Sequence, residues 1–495
     1  MQRRPFVPAV ACFLVLLGEV ATSPASPDTS GVVEGGVLGA GELARRHYAI
    51  AERPVSSGPS TVVLPVGIPT EEGLLQRAVS WSQTYDIDRL YSSMQGPRSD
   101  LTVSLATSKE PELLWIKGVH AVVVDELGEP ISQEFMCHVV GSIEEMEERN
   151  AALGLPTTQS NGLPRESRFA TLSQGIYHKQ YPQGFGLPIL STHVLKFTSQ
   201  VLNMNAPDAQ LHLRHRIVVQ YIRDADLKQP MRAITSSFAN VMMLVEGEEG
   251  SGYFGIRQPD EATHGASCSV GQKADSELGL MNDGHRKFTP HWILPPGEAN
   301  NETLATELMD LRYDTTIHSI DVHLHPFAKW VELRDLTSGT SVFRSKARQV
   351  DQGIGLAYVQ TFRSAEGIPV FRDNQYAIVS AYDNTSGRAQ DAMAAMYFGL
   401  YDKEFDPSLM SDPQARAARE ADYRQQNLAT LLQAIRQDPE DPVSHGLLAL
   451  ALFRQNELTR AAHHLRTAIR LNPDETSYRS ALARVEQAMG LQSDN

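Results

Sequence analysis

The sequence predicts a mainly β protein, with two tandem antiparallel β-sandwiches of jelly-roll type followed by an α-helical tail. Three observations carry this reading. Short runs of alternating apolar and polar residues recur between residues 61 and 403, separated by turns rich in Gly and Pro. The clearest alternation surrounds His323-Leu324-His325. From residue 415 the composition shifts to Ala, Leu, Arg and Gln at helical spacing, and the pattern repeats.

The chain opens with Met1-Gln-Arg-Arg4 and a short apolar run through Leu17, which reads as a secretory signal over residues 1–25. The run is too short to span a bilayer comfortably, and no later segment is apolar enough to do so. The expectation is an exported protein, secreted or periplasmic, that is soluble and has no transmembrane segment. Residues 26–60 are rich in Ser, Pro, Gly and Ala and read as a flexible leader with a short helix at 41–53.

Residues 61–230 make the first predicted sandwich. Its strand-like runs include Leu113-Leu-Trp-Ile116, His120-Ala-Val-Val-Val124, Phe135-Met-Cys-His-Val-Val140 and Arg216-Ile-Val-Val-Gln-Tyr-Ile222. The turns are of the Leu127-Gly-Glu-Pro130 kind. A Glu-rich stretch at 142–153 reads as an inserted helix or acidic loop. Residues 231–287 read as an interdomain linker, although Phe238 to Val245 is strand-like. Residues 288–405 make the second sandwich.

The tail occupies residues 413–490. Leu431, Ala434, Ile435, Arg436 and Pro439 recur 34 positions later as Leu465, Ala468, Ile469, Arg470 and Pro473. That period is the length of the tetratricopeptide repeat, a pair of packed helices. Fewer than three units are present, so the tail reads either as a stabilising cap or as a docking surface for a protein partner.

A net charge of −15 argues against binding nucleic acid through bulk electrostatics. Beyond the signal only Cys137 and Cys268 remain, so one disulfide is the most the chain can form, and the fold is not built on bridges.

Residues two apart in a strand point to the same face. His323 and His325 therefore project together, as two imidazoles sharing one metal ion must. The same spacing also fits a polar strand face. About seventy residues later, Asp391-Ala-Met-Ala-Ala-Met-Tyr397 reads as a further strand, from which Met393 offers a thioether. Two neutral imidazoles and a thioether form a partly soft set that suits copper better than zinc, magnesium or calcium. His318, five residues from His323, falls on the opposite face of an ideal strand and reads as structural. His264 and Cys268 read as loop residues.

These segments resemble the copper type II, ascorbate-dependent monooxygenases, the peptidylglycine α-hydroxylating and dopamine β-type enzymes. The resemblance rests on His323-Leu-His325, Lys329-Trp-Val331, Ser338-Gly339, Asp391-Ala-Met393 with Tyr397 to Tyr401, and the Ile293-Leu-Pro-Pro-Gly297 turn. It implies that His323, His325 and Met393 hold an oxygen-activating copper, with molecular oxygen, an organic substrate and ascorbate or another one-electron donor as reactants. It also implies a separate first copper site held by three histidines. Only His138 stands plainly at a matching place. Cys137 precedes it as a possible thiolate ligand, and Leu202 occupies the third position. His120, His178, His212 and His215 are candidate substitutes. Asp321 stands where peptide-hydroxylating members carry an Arg, so a substrate carboxylate would be repelled there. A non-catalytic copper-binding or assembly module is the alternative. Zinc hydrolysis is a third reading; it requires a carboxylate or third imidazole, and the triad offers Met.

Overall fold

A computed structural model describes residues 58–490 apart from 64–66, 92–94, 107–108, 160–164, 247–255, 258–280, 283–286, 411 and 474. The expected signal, most of the leader, and the His264–Cys268 pair lie outside the described residues. The chain is mainly β, with several sheets, and closes on four consecutive helices. No helix among the described residues is long and apolar enough to cross a membrane.

The N-terminal strands fall into two main sheets that share one core. One contains Gly73–Trp81, Leu211–Leu227, Leu113–Asp125 and Phe185–Leu190; the other orders Arg98–Ser104, Val194–Val201, Met136–Ile143 and Arg168–Ser173. Val119, Ala121 and Val123 alternate with residues of the opposite face and meet Phe197, Leu195 and Val139 in one core. The Glu-rich insertion contains a helix at Met146–Ala152.

The C-terminal strands are likewise divided between sheets. Thr315–Leu324 lies between Ala394–Tyr401 and Phe362–Val370, and a five-stranded sheet runs through Gly297–Leu304, Tyr376–Asn384 and Ala328–Asp335. Ile320, Val322 and Leu324 point into the core shared with Val331, Leu333 and Ile378.

The segment read as a linker contains a structural strand. Arg232–Asn240 pairs antiparallel with Ala394–Tyr401 over seven registered residues, from Ile234↔Tyr401 to Asn240↔Ala395. Its first residues also pair parallel with Phe185 and Gly186. One sheet thus runs continuously from the N-terminal strands to the C-terminal ones.

The tail helices are Pro413–Gln437, Pro442–Arg454, Leu458–Leu471 and Thr476–Ala488. The sequence period reappears in their caps. Asp441 accepts from the Val443 and Ser444 amides, and Glu475, one period later, accepts from Ser477. Leu431, Leu448, Leu452 and Leu465 form a core of their own.

Candidate metal centre

Alternation along Thr315–Leu324 sends Ile320, Val322 and Leu324 inward and puts Asp321 and His323 on the other face. That face meets the N-terminal strands. Lys179 Nζ lies 2.6 Å from the Asp321 carboxylate, and both side chains are buried. The His138 and His323 rings stand edge to face with centroids 6.5 Å apart. Tyr397, registered opposite Asp321, accepts a 2.6 Å hydrogen bond from Arg168. The centre therefore sits at the junction of the two sets of strands.

His325 follows the strand end, and its backbone N–H donates to the Met393 carbonyl at 3.2 Å. Its ring lies 5.2 Å from that of His323 and 5.5 Å from that of His291. Asp391 lies between the last two imidazoles. Its carboxylate is 3.2 Å from Nδ1 of His325 and 3.2 Å from Nδ1 of His291. A short ribbon builds this contact: Trp292–Leu294 pairs with Gln390–Ala392, with Ile293 opposite Asp391, which brings His291 alongside. Among the described residues, His291, His325 and Asp391 are the one group of three His, Cys, Asp or Glu residues whose ligand atoms all lie within 4.8 Å of one another.

The ring distances test which imidazoles suit a common ion. With metal–nitrogen bonds of about 2.0 Å and a ring centre about 1.1 Å behind each nitrogen, two imidazoles at a tetrahedral angle have centres about 5 Å apart, and at most about 6 Å when opposed. The His323–His325 spacing of 5.2 Å and the His291–His325 spacing of 5.5 Å both meet that condition. The His138–His323 spacing of 6.5 Å lies beyond it. His323 Nδ1 is buried without a hydrogen-bond partner among the described residues.

The electrostatics favour neutral imidazoles at His138 and His323, whereas at His291 burial is outweighed by the Asp391 carboxylate, which raises the pKa. Burial, then the neighbouring Arg168 guanidinium, pushes His138 down to about 3. Burial and the surrounding His325, His138 and His291 rings hold His323 well below its ordinary value. Burial alone would raise the Asp391 carboxyl; His291 and His325 outweigh it and keep the group ionised, well below the usual carboxylate range.

Met393 is buried on the same face as His323, where its side chain packs with Ala395, Tyr397 and Phe238. Cys137 is buried at a β-bulge, the extra residue between the pairs His138↔Gln200 and Met136↔Val201. Of the candidate substitutes for a first site, His215 is an electrostatic neighbour of His138. His212 bonds Asp86 at the surface, His215 is buried edge-on to Tyr85, and His120 pairs in register with His178. Leu202 is buried, with no donor to offer. His318 stacks on Phe185 at 3.8 Å and spends both ring nitrogens on Thr316 and Ser364, a structural role as its spacing suggested. Asp321, ion-paired with Lys179, is not the unpaired charge that the sequence alone presents.

His291 was not legible as a site residue. It is a lone histidine between two three-residue strands and carries no periodic signal. Asp391 was visible only as part of the acidic-x-Met pattern.

No protein-family model matches this sequence, and no curated protein matches it. Among solved structures, the STIV MCP aligns over 70% of this chain and 98% of its own length, at 7% identity and a TM-score of 0.24. A quercetin 2,3-dioxygenase from Acinetobacter baumannii aligns over 66% of this chain and 86% of its own, at 7% identity and a TM-score of 0.11. Infectious bursal disease virus Gx strain aligns over 68% and 74%, at 10% identity and a TM-score of 0.11. These likenesses are too remote to carry any argument about fold or chemistry.

Proposed function

We propose that this chain is an exported copper-dependent monooxygenase-like protein. It would hydroxylate a C–H bond with molecular oxygen and a one-electron donor such as ascorbate, on two sandwich domains joined at their metal centre. The observation that carries the reading is the His323–His325 pair: two buried imidazoles, 5.2 Å apart, on the face where the N- and C-terminal strands meet. Met393 on that face adds the soft donor that favours copper. When bound, copper supplies one-electron redox chemistry toward oxygen. The overall balance is one oxygen molecule, two electrons and two protons per hydroxylation, with one oxygen atom entering the product and the other leaving as water.

The chain's own residues have separable tasks in this scheme. His323 presents a neutral nitrogen, and His325 offers the second imidazole. The Arg168–Tyr397 pair and the Lys179–Asp321 ion pair hold the two sets of strands together round the centre. His138 lies beside His323, so the first site implied by the resemblance is not an independent, distant one here. The helical tail, with its 34-residue repeat, would dock a protein partner.

One observation favours a second reading. Asp391 and His291 stand beside His325 and provide the carboxylate and extra imidazole that a hydrolytic zinc site requires. Reductant-dependent oxygen uptake separates the two. Uptake driven by ascorbate and abolished by His323→Ala supports the copper reading. No uptake across varied donors and candidate substrates, together with zinc in the purified protein, contradicts it.

A further inference from the structure

We propose that Asp391 is a positioning residue that locks His325 as its Nδ1–H tautomer and thereby makes Nε2 the atom offered to the ion, an inference that rests on reading His325 as a ligand. The geometry around His325 Nδ1 supports this. The atom faces the Asp391 carboxylate at 3.2 Å and the Asp391 backbone carbonyl at 3.2 Å. Both are acceptors only. A lone pair there would be repelled by two oxygens, so Nδ1 carries the hydrogen and donates. The lone pair is then on Nε2, across the ring.

His291 meets the same carboxylate in the same manner, with Nδ1 at 3.2 Å from one oxygen and 3.3 Å from the other. It too is a donor. One carboxylate thus receives two imidazole N–H groups, and the short Trp292–Leu294 and Gln390–Ala392 ribbon holds all three side chains in place. With an ion held at Nε2 the arrangement would be a carboxylate–histidine–metal relay, in which the outer carboxylate fixes the orientation and basicity of the ligand. His291 shares the carboxylate as a second donor; it is not itself a ligand. His323 has no such partner: its Nδ1 is buried and unbonded among the described residues. The two imidazoles of the His-x-His pair are therefore held by different means.

The test begins on metal-free protein labelled with 15N. Long-range 15N–1H spectra, with the His325 signals assigned by their loss in His325→Gln, report the tautomer directly. The expected result is a His325 that carries its hydrogen on Nδ1, with that preference weakened in Asp391→Ala, which removes the carboxylate but keeps the backbone carbonyl acceptor. A His325 protonated on Nε2 in the wild type overturns the proposal. Titration with copper(II) alone gives the second readout. Asp391→Ala is expected to weaken binding by about 10–100-fold, and Asp391→Asn, which keeps an acceptor oxygen, by less. Pulsed EPR should count the same coordinated nitrogens in His291→Ala as in wild type. Binding by Asp391→Ala within twofold of wild type, or one nitrogen lost in His291→Ala, refutes the positioning role. A wild-type chain with no copper affinity contradicts the proposed function yet leaves the tautomer measurement decisive.

Discussion

The Lys179–Asp321 pair joins the N-terminal strands to the face that carries His323, and breaking it is a direct probe of that junction. Lys179 and Asp321 side chains are 3% and 6% exposed, with nitrogen and oxygen 2.6 Å apart. At an effective dielectric constant of about 20, two unit charges at that distance attract by about 6 kcal/mol. Desolvation of each ion is of similar size, so the intact pair contributes little beyond what well-packed apolar residues would. Removing one partner is different, because the other charge stays buried and unpaired. Lys179→Met and Asp321→Leu should each cost about 3–5 kcal/mol. The double variant should recover most of that loss. Urea denaturation followed by tryptophan fluorescence, compared at the transition midpoint, measures all three. A single variant that loses less than about 1 kcal/mol, or a double variant as unstable as the two losses added, would refute the buried-pair reasoning.

Other consequences are equally specific. Burial pushes the His215 imidazole down to about 3, so between that value and its ordinary 6.5 the unfolded chain binds a proton that the folded chain does not. Stability therefore rises with pH across that window and falls on acidification. His215→Leu should gain about 2 kcal/mol relative to wild type at pH 5 compared with pH 7, read from urea midpoints at the two pH values. An unchanged difference would mean that the ring is solvated. In the tail, a Cβ on Gly446 would sit 2.6 Å from the Tyr478 ring. Gly446→Ala should destabilise the tail helices by about 1–3 kcal/mol and leave the β region intact. Circular dichroism at 222 nm, alongside near-UV signals from the β-region tryptophans, checks this; simultaneous loss of both would show that tail and sheets unfold as one.

How much was legible in the sequence depended on whether a residue sat in a periodic segment. The His323–His325 geometry follows from strand alternation, and the helical tail from a repeat that the caps at Asp441 and Glu475 reproduce. Of the strand at Arg232–Asn240 only the end is legible, within the strand-like run from Phe238, because the rest buries small and polar residues, among them Ala233, Thr235 and Ser237. Such a pattern resembles a linker until its pairing partners are known. The closeness of His138 to His323 is a long-range fact: the two lie on strands that never pair, and the sheet topology alone brings them together. His291 depends on a ribbon of three residue pairs, too short for any periodic signature.

The account turns on whether the two buried imidazoles of the His-x-His strand hold a redox ion. Metal analysis of the purified, full-length chain, beside His323→Ala and His138→Ala, measures this directly. Copper near one equivalent, lost in His323→Ala and retained in His138→Ala, is the expected result. Zinc in place of copper, or a metal content indifferent to His323→Ala, would contradict it.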